Sequence, residues 1–155
     1  MINIVRTTSD NVDFNSLIEL LDAELNDRYG VVQKEYDRYN KIEFIDTVVV
    51  AYLDNIPAGC GCFKIFDNEN IEIKRMFVKS DVRRNGIALN ILLELENWIV
   101  EKGFSSAVLE TGILQPEAIS FYNKSGFYSI DNYGQYIGNK NSVCMRKEIK
   151  NKTNY

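Results

Sequence analysis

The chain has 155 residues, 45% of them hydrophobic and 26% charged, which suits one soluble domain around a single core; its formal net charge of −4 argues against broad nucleic-acid binding. No apolar run is long enough to span a membrane and no secretion leader is visible, so Cys60, Cys62 and Cys144 are expected as reduced thiols in a cytoplasmic protein. With no histidine and only one Cys distant from the other two, neither a His-dependent nucleophile nor a metal site is expected.

Ile2–Arg6 alternates apolar and polar residues and predicts a strand. Over Asn11–Arg28, Phe14, Leu17, Ile18, Leu21 and Leu25 recur at helical spacing, and Gly30 offers a stop. Val31–Tyr39 reads as a shorter helix or lid. Val48–Leu53 and Ile56–Phe66 form a predicted hairpin around the Asp54-Asn55 turn. After a polar turn at Asp67–Asn70, Ile71–Val78 is the next strand. A helix from about Gly86 to Lys102 carries the stripe Ile87, Ile91, Leu92, Leu95, Trp98 and Ile99, with Trp98 a core residue by spacing. Asn85-Gly86 alone would also suit a hairpin turn, but the period that follows selects a helix. Ala107–Glu110 is a short strand, Pro116 suits the first turn of a helix reaching Lys124, and Phe127–Ile130 with Ser142–Ile149 close the chain. The order predicts a mixed α/β fold over residues 1–150: a mostly antiparallel sheet of about seven strands with about four helices, one parallel pair spanning the crossover at 71–110. Residues 151–155 form a polar tail.

The segment Val78-Lys-Ser-Asp-Val-Arg-Arg-Asn-Gly-Ile-Ala88 joins a strand to a helix entry. Helix-entry amides lack intrahelical partners, and the macrodipole makes that end positive. Gly86 lets backbone approach a ligand closely, and Arg83 and Arg84 add planar donor forks. The pattern predicts a phosphate or diphosphate cradle. Lys74, Arg75 and Lys79 extend the local positive charge, which on an acidic chain favours a small polyanion over a polymer.

Arg83-Arg84-Asn85-Gly86-Ile87-Ala88 fits the Arg/Gln-x-x-Gly-x-Gly/Ala loop of the GNAT superfamily of acyl-CoA-dependent N-acetyltransferases. Downstream, Ala118-Ile119-Ser120-Phe121-Tyr122-Asn123-Lys124-Ser125-Gly126-Phe127 is similar to the Ala-Ile-x-x-Tyr-x-x-x-Gly-Phe ending of many members. The resemblance implies that acetyl-CoA is the cosubstrate, with no metal, and that its diphosphate meets the amides of Arg84, Asn85, Gly86, Ile87 and Ala88. It implies a bulge in the Ile71–Val78 strand, whose Met76 and Val78 backbone would take the pantetheine arm. The Phe77 or Val78 amide would polarise the thioester carbonyl. The usual Asn before the second motif is Gln115 here. The acceptor implied is a small-molecule amine or a peptide amine, and homodimers are common among relatives.

Amide formation needs a neutral amine, whereas a lysine-type amine has a pKa of about 10.4 and is mostly protonated at neutral pH. A base must take a proton as the amine attacks, and the departing thiolate gains from an acid. Tyr122 matches the superfamily's acid position. Glu110, Glu72 and water are the alternatives for the base. Tyr29, Tyr36, Tyr133 and Tyr136 are candidates to line the acceptor pocket or simply to pack. The competing reading is a non-catalytic acyl-CoA-binding regulatory module that keeps the cradle without turnover.

Overall fold

Residues 1–30 and 43–149 are described by the computed structural model. The expected helix or lid at Val31–Tyr39, with Tyr36, and the tail at 151–155 lie outside them. In chain order the elements are β1 (Ile2–Thr7), α1 (Val12–Tyr29), β2 (Val48–Leu53), β3 (Ile56–Ile65), β4 (Ile71–Val78), α2 (Ile87–Glu101), β5 (Ser106–Gly112), α3 (Pro116–Lys124), β6 (Tyr128–Ile130) and β7 (Ser142–Glu148). Short 3-10 turns cover Ser80–Val82 and Gly134–Tyr136. The seven strands join in the order β1-β2-β3-β4-β5-β7-β6. The ladders β1–β2, β2–β3, β5–β7 and β6–β7 are antiparallel, and β4–β5 is parallel. This is the mixed, mostly antiparallel sheet expected, with three α-helices among the described residues. Most predicted boundaries hold to within a residue or two.

The chain forms two compact units. The first comprises Met1–Lys64 and Lys74–Asn97. Its β2–β3 hairpin turns at Asp54 and Asn55, whose φ angles of 52° and 69° fit the left-handed turn that such residues tolerate. Asn11 starts α1, its Oδ1 accepting the Phe14 amide at 2.9 Å. From α1, Phe14, Leu17, Ile18 and Leu21 bury against Val48, Val50, Cys60, Cys62 and Phe77. The strand alternation turns Gly59 to the opposite face. A Cβ there would lie 2.7 Å from the Phe77 carbonyl oxygen and 3.0 Å from Ile91 Cδ1, so only hydrogen lets β3 and α2 come this close. Both faces of this part of the sheet are thus covered by helix, and Ile87, Ile91, Leu92 and Leu95 are almost fully buried.

The second unit comprises Ile65–Ile73 and Trp98–Tyr155. Here β4 contributes Ile71–Ile73, paired with Ala107–Leu109 of β5, and β5 pairs along its length with β7. Register sorts the side chains. Ile71, Ile73, Ala107, Leu109 and Met145 share one apolar face, while Glu72, Glu110 and Cys144 share the other. Trp98, expected in the core, is half-buried. Helical spacing fixes which way a side chain points, and a ring this large is seldom covered completely.

Candidate active site

The first unit contains the cradle. The β4–β5 ladder ends at Ile73–Leu109, although both strands continue, and Arg75 takes a φ of 60° within β4. That left-handed residue is the bulge-like irregularity the resemblance implied. Its guanidinium is held by Asp22 of α1, Nη1 donating to Oδ1 at 3.1 Å. After β4, Lys79 donates its amide to the Ala58 carbonyl at 2.9 Å, the 3-10 turn reverses the chain, and Arg84 and Gly86 adopt φ angles of 69° and 77°.

The first backbone bond of α2 runs from the Asn90 amide to the Gly86 carbonyl at 3.0 Å, and Asn90 Nδ2 donates to the same carbonyl at 2.8 Å. The amides of Ile87, Ala88 and Leu89 therefore precede the helical ladder and face outward as donors. Among the described residues, a Cβ on Gly86 would meet only Asn90 Nδ2, at 3.9 Å. The space above the loop is open, which is the form a cradle for an anion requires. Asn85 braces the turn, Nδ2 donating to the Val82 carbonyl at 2.9 Å.

The two arginines diverge. Arg84 is exposed and has no partner among the described residues. Arg83 is committed inward. Its Nε donates to the Val78 carbonyl at 2.8 Å, its Nη2 donates to both Glu24 oxygens at 3.0 and 3.1 Å, and its guanidinium lies 5.8 Å from the Phe77 ring centroid. Its place is that of a strut between α1 and the loop. Of the residues expected to meet the pantetheine arm, Phe77 and Val78 have buried side chains and Met76 is half-buried. The Val78 carbonyl is already engaged by Arg83.

The second unit brings both candidate carboxylates together on one sheet face. Glu72 is only 2% exposed, and Tyr133 donates its hydroxyl to Glu72 Oε2 at 2.6 Å. Glu110 is half-buried and its Oε2 accepts the Ser142 hydroxyl at 2.6 Å. Tyr133 stands in an aromatic stack, edge-on to Phe66 at 5.0 Å and to Tyr136 at 5.5 Å between ring centroids. Burial, then the Glu72 charge, holds the Tyr133 hydroxyl strongly protonated. Burial and the charges of Glu72 and Glu110 do the same for Tyr136. Cys144, opposite Glu110 in the ladder, is pushed up to about 11 by burial and by the same two carboxylates. None of these is a ready anion at neutral pH.

In the same unit, α3 presents Tyr122. Gln115 stands at the N-cap position without a side-chain capping bond; its Oε1 instead accepts the Gly112 amide at 3.2 Å, so that end of the carboxamide already holds the β5 terminus. The Tyr122 ring packs edge-on between Phe121 at 5.3 Å and Phe127 at 5.6 Å. Its hydroxyl has no partner among the described residues, yet none of their buried side-chain polar atoms is unsatisfied. Burial raises the pKa of that hydroxyl, keeping it a proton donor. The family resemblance marks Tyr122 and both carboxylates, and the loop is marked by its own residues. Neither gave a sign of Ser142 or Glu24, and Tyr133 stood only as one aromatic among four. Among the described residues no cluster of three or more Cys, Asp or Glu side chains is placed to hold a metal.

Known proteins resemble this chain in sequence and in fold. Residues 14–127 match the acetyltransferase (GNAT) family model. The IAA acetyltransferase of Azospirillum brasilense is 32% identical over 136 residues, covering 86% of this chain and 88% of that protein. Among solved structures, a GNAT-family acetyltransferase from Staphylococcus aureus Mu50 superposes with a TM-score of 0.77 at 18% identity, covering 97% of this chain and all of the other. The PaiA N-acetyltransferase of Thermoplasma acidophilum, solved with coenzyme A, gives 0.70 at 22% identity and covers 96% and 99%. The last two establish likeness of fold; the family match and the Azospirillum relative establish kinship, and the chain belongs to the GNAT family of acetyltransferases.

Proposed function

We propose that this protein transfers an acetyl group from acetyl-CoA to a primary amine of a small molecule or peptide, by direct attack within a ternary complex. The observation that carries the reading is the helix entry at Gly86, with its φ of 77°, its open Cβ side and the unladdered amides of Ile87–Leu89. Those amides, with Arg84, suit a diphosphate; a nucleotide-binding Lys-Ser/Thr after the glycine is absent from the sequence. Coenzyme A bound to the Thermoplasma neighbour supports the same cosubstrate here. In this reading Tyr122 gives a proton to the departing thiolate, and Glu72 or Glu110 drains the proton of the attacking amine. The Phe77 or Val78 amide polarises the thioester carbonyl, and Gln115 orders the end of β5. The net charge and the reduced state of the thiols fit a cytoplasmic enzyme acting away from nucleic acid and membranes, with a homodimer as one available assembly.

The test is release of free coenzyme A thiol from acetyl-CoA across a panel of amines: amino acids, polyamines, aminoglycosides and short peptides. Products are then identified by mass spectrometry. Amine-dependent thiol release with an N-acetylated product supports the proposal. Tight coenzyme A binding with no turnover on any amine overturns it in favour of a non-catalytic acyl-CoA-binding module.

A further inference from the structure

Two carboxylates share one face of the second unit, but they are not equally reachable. Glu72 is 2% exposed, on β4. What stands over it is Tyr133, from the segment between β6 and β7, which is half-buried and donates its hydroxyl to Glu72 Oε2 at 2.6 Å. Around them lie Tyr136 from the same segment, Cys144 from β7 and Glu110 from β5, which electrostatics couples to the cluster. Glu72 is closed to direct contact, and Tyr133 is the more exposed member of the pair.

We infer that Tyr133 is a proton relay: it takes the proton of the attacking amine at its own oxygen while passing its phenolic hydrogen to Glu72. This rests on the acetyl-transfer reading and names the route by which that reaction disposes of its proton. The step balances. As the amine nitrogen bonds to the thioester carbonyl carbon, an N–H proton moves to Tyr133 Oη. The hydrogen already shared with Glu72 moves to Oε2. The carbon–sulfur bond then breaks, and the electron pair leaving with sulfur is met by the Tyr122 proton. Tyr133 starts and ends as a neutral phenol, Glu72 ends protonated and Tyr122 ends as a phenolate; as products leave, Glu72 gives its proton to water and Tyr122 takes one back from water.

Three observations support a relay over a Tyr acting alone. Burial and the neighbouring carboxylate disfavour a Tyr133 phenolate, so this residue cannot store the charge itself. The short hydrogen bond already aligns the second transfer. The edge-on contacts with Phe66 and Tyr136 fix the ring, so the relay geometry is set before substrate arrives.

The experiment uses the full chain, acetyl-CoA and n-butylamine as a minimal primary-amine probe, with the amine panel beside it. Tyr133→Phe keeps the ring and removes the relay oxygen; it is expected to lower kcat about 100-fold, the scale of a lost general base, with the Kd for coenzyme A unchanged. Glu72→Gln should lose about as much. The double variant should be no slower than Glu72→Gln, because members of one relay act as a unit. In mixtures of H2O and D2O, the unmodified protein should show a curved dependence of rate on deuterium fraction, from two protons in flight in this step. Tyr133→Phe should straighten it, and the curvature in unmodified protein stands even where Glu72→Gln fails to fold. Tyr133→Phe turning over within about twofold of the unmodified protein overturns the relay alone, as do multiplicative losses in the double variant. If the unmodified protein releases no thiol with butylamine or any panel amine, the transferase reading falls and the relay falls with it.

Discussion

Replacing Gly86 by alanine separates holding an anion from holding the fold. Gly86 sits at a φ of 77°, where a non-glycine residue costs about 1–2 kcal/mol. Among the described residues the added methyl meets no atom nearer than Asn90 Nδ2 at 3.9 Å, so no steric clash with them adds to that cost. For a chain of this size, about 1 kcal/mol lowers Tm by roughly 2–4 °C. Gly103, after α2, is the matched control: its φ is 92°, and a Cβ there meets none of the described residues within 4 Å. Both variants should therefore lose similar Tm. Their ligand behaviour should differ. At Gly86 the methyl fills the space in which a diphosphate would approach the amides of Ile87–Leu89, and losing one or two charge-assisted hydrogen bonds at about 1.5–3 kcal/mol each weakens coenzyme A at least tenfold. Calorimetric titration with coenzyme A, beside thermal unfolding of both variants, reads the two effects separately. Coenzyme A binding to Gly86→Ala within about twofold of the unmodified protein, or equal weakening by Gly103→Ala, would refute the cradle.

Tyr122→Phe should lower kcat about 100-fold while leaving Tm and coenzyme A affinity unchanged, because the ring keeps its contacts with Phe121 and Phe127 and no hydrogen bond among the described residues is lost; an undiminished rate at several pH values removes the residue from the acid role. Glu110→Gln should cost less turnover than Glu72→Gln in steady-state assays, since Tyr133 bridges Glu72 alone. Gly59→Ala places a methyl 2.7 Å from the Phe77 carbonyl oxygen and should cost about 1–3 kcal/mol, seen as a lowered Tm. Cys144 titrates near 9 when unfolded and near 11 when folded, so the folded state holds its proton longer. The stability this gives is complete below pH 9 and drains away as pH rises toward 11; urea midpoints across that range, compared with Cys144→Ala, should show the difference.

Much of this architecture was legible because it is written locally. The stripe from Ile87 to Ile99 selects α2 over a hairpin after Asn85-Gly86, and Asp54-Asn55 marks its turn without reference to anything distant. The loop was legible from its glycine, its arginines and the helix that follows, and Tyr122 through the family resemblance. What stayed hidden are pairings across long separations. Nothing in the order of residues says that Arg83 meets Glu24, 59 positions away, or that Tyr133 meets Glu72, 61 positions away. Such contacts follow from strand register and loop path. The turn of Arg75 into left-handed backbone was likewise invisible residue by residue, since arginine carries no preference for it; only the family resemblance anticipated an irregularity in that strand.

The thiols have a practical consequence. Cys60, Cys62 and Cys144 are each no more than 1% exposed, and burial holds Cys60 and Cys144 in the unreactive protonated form. A disulfide dye added to the native protein should therefore stay colourless until cleavage of a thioester liberates sulfur. Turnover can be followed continuously with such a dye, with neither blocked cysteines nor a subtraction for the catalyst's own sulfhydryls.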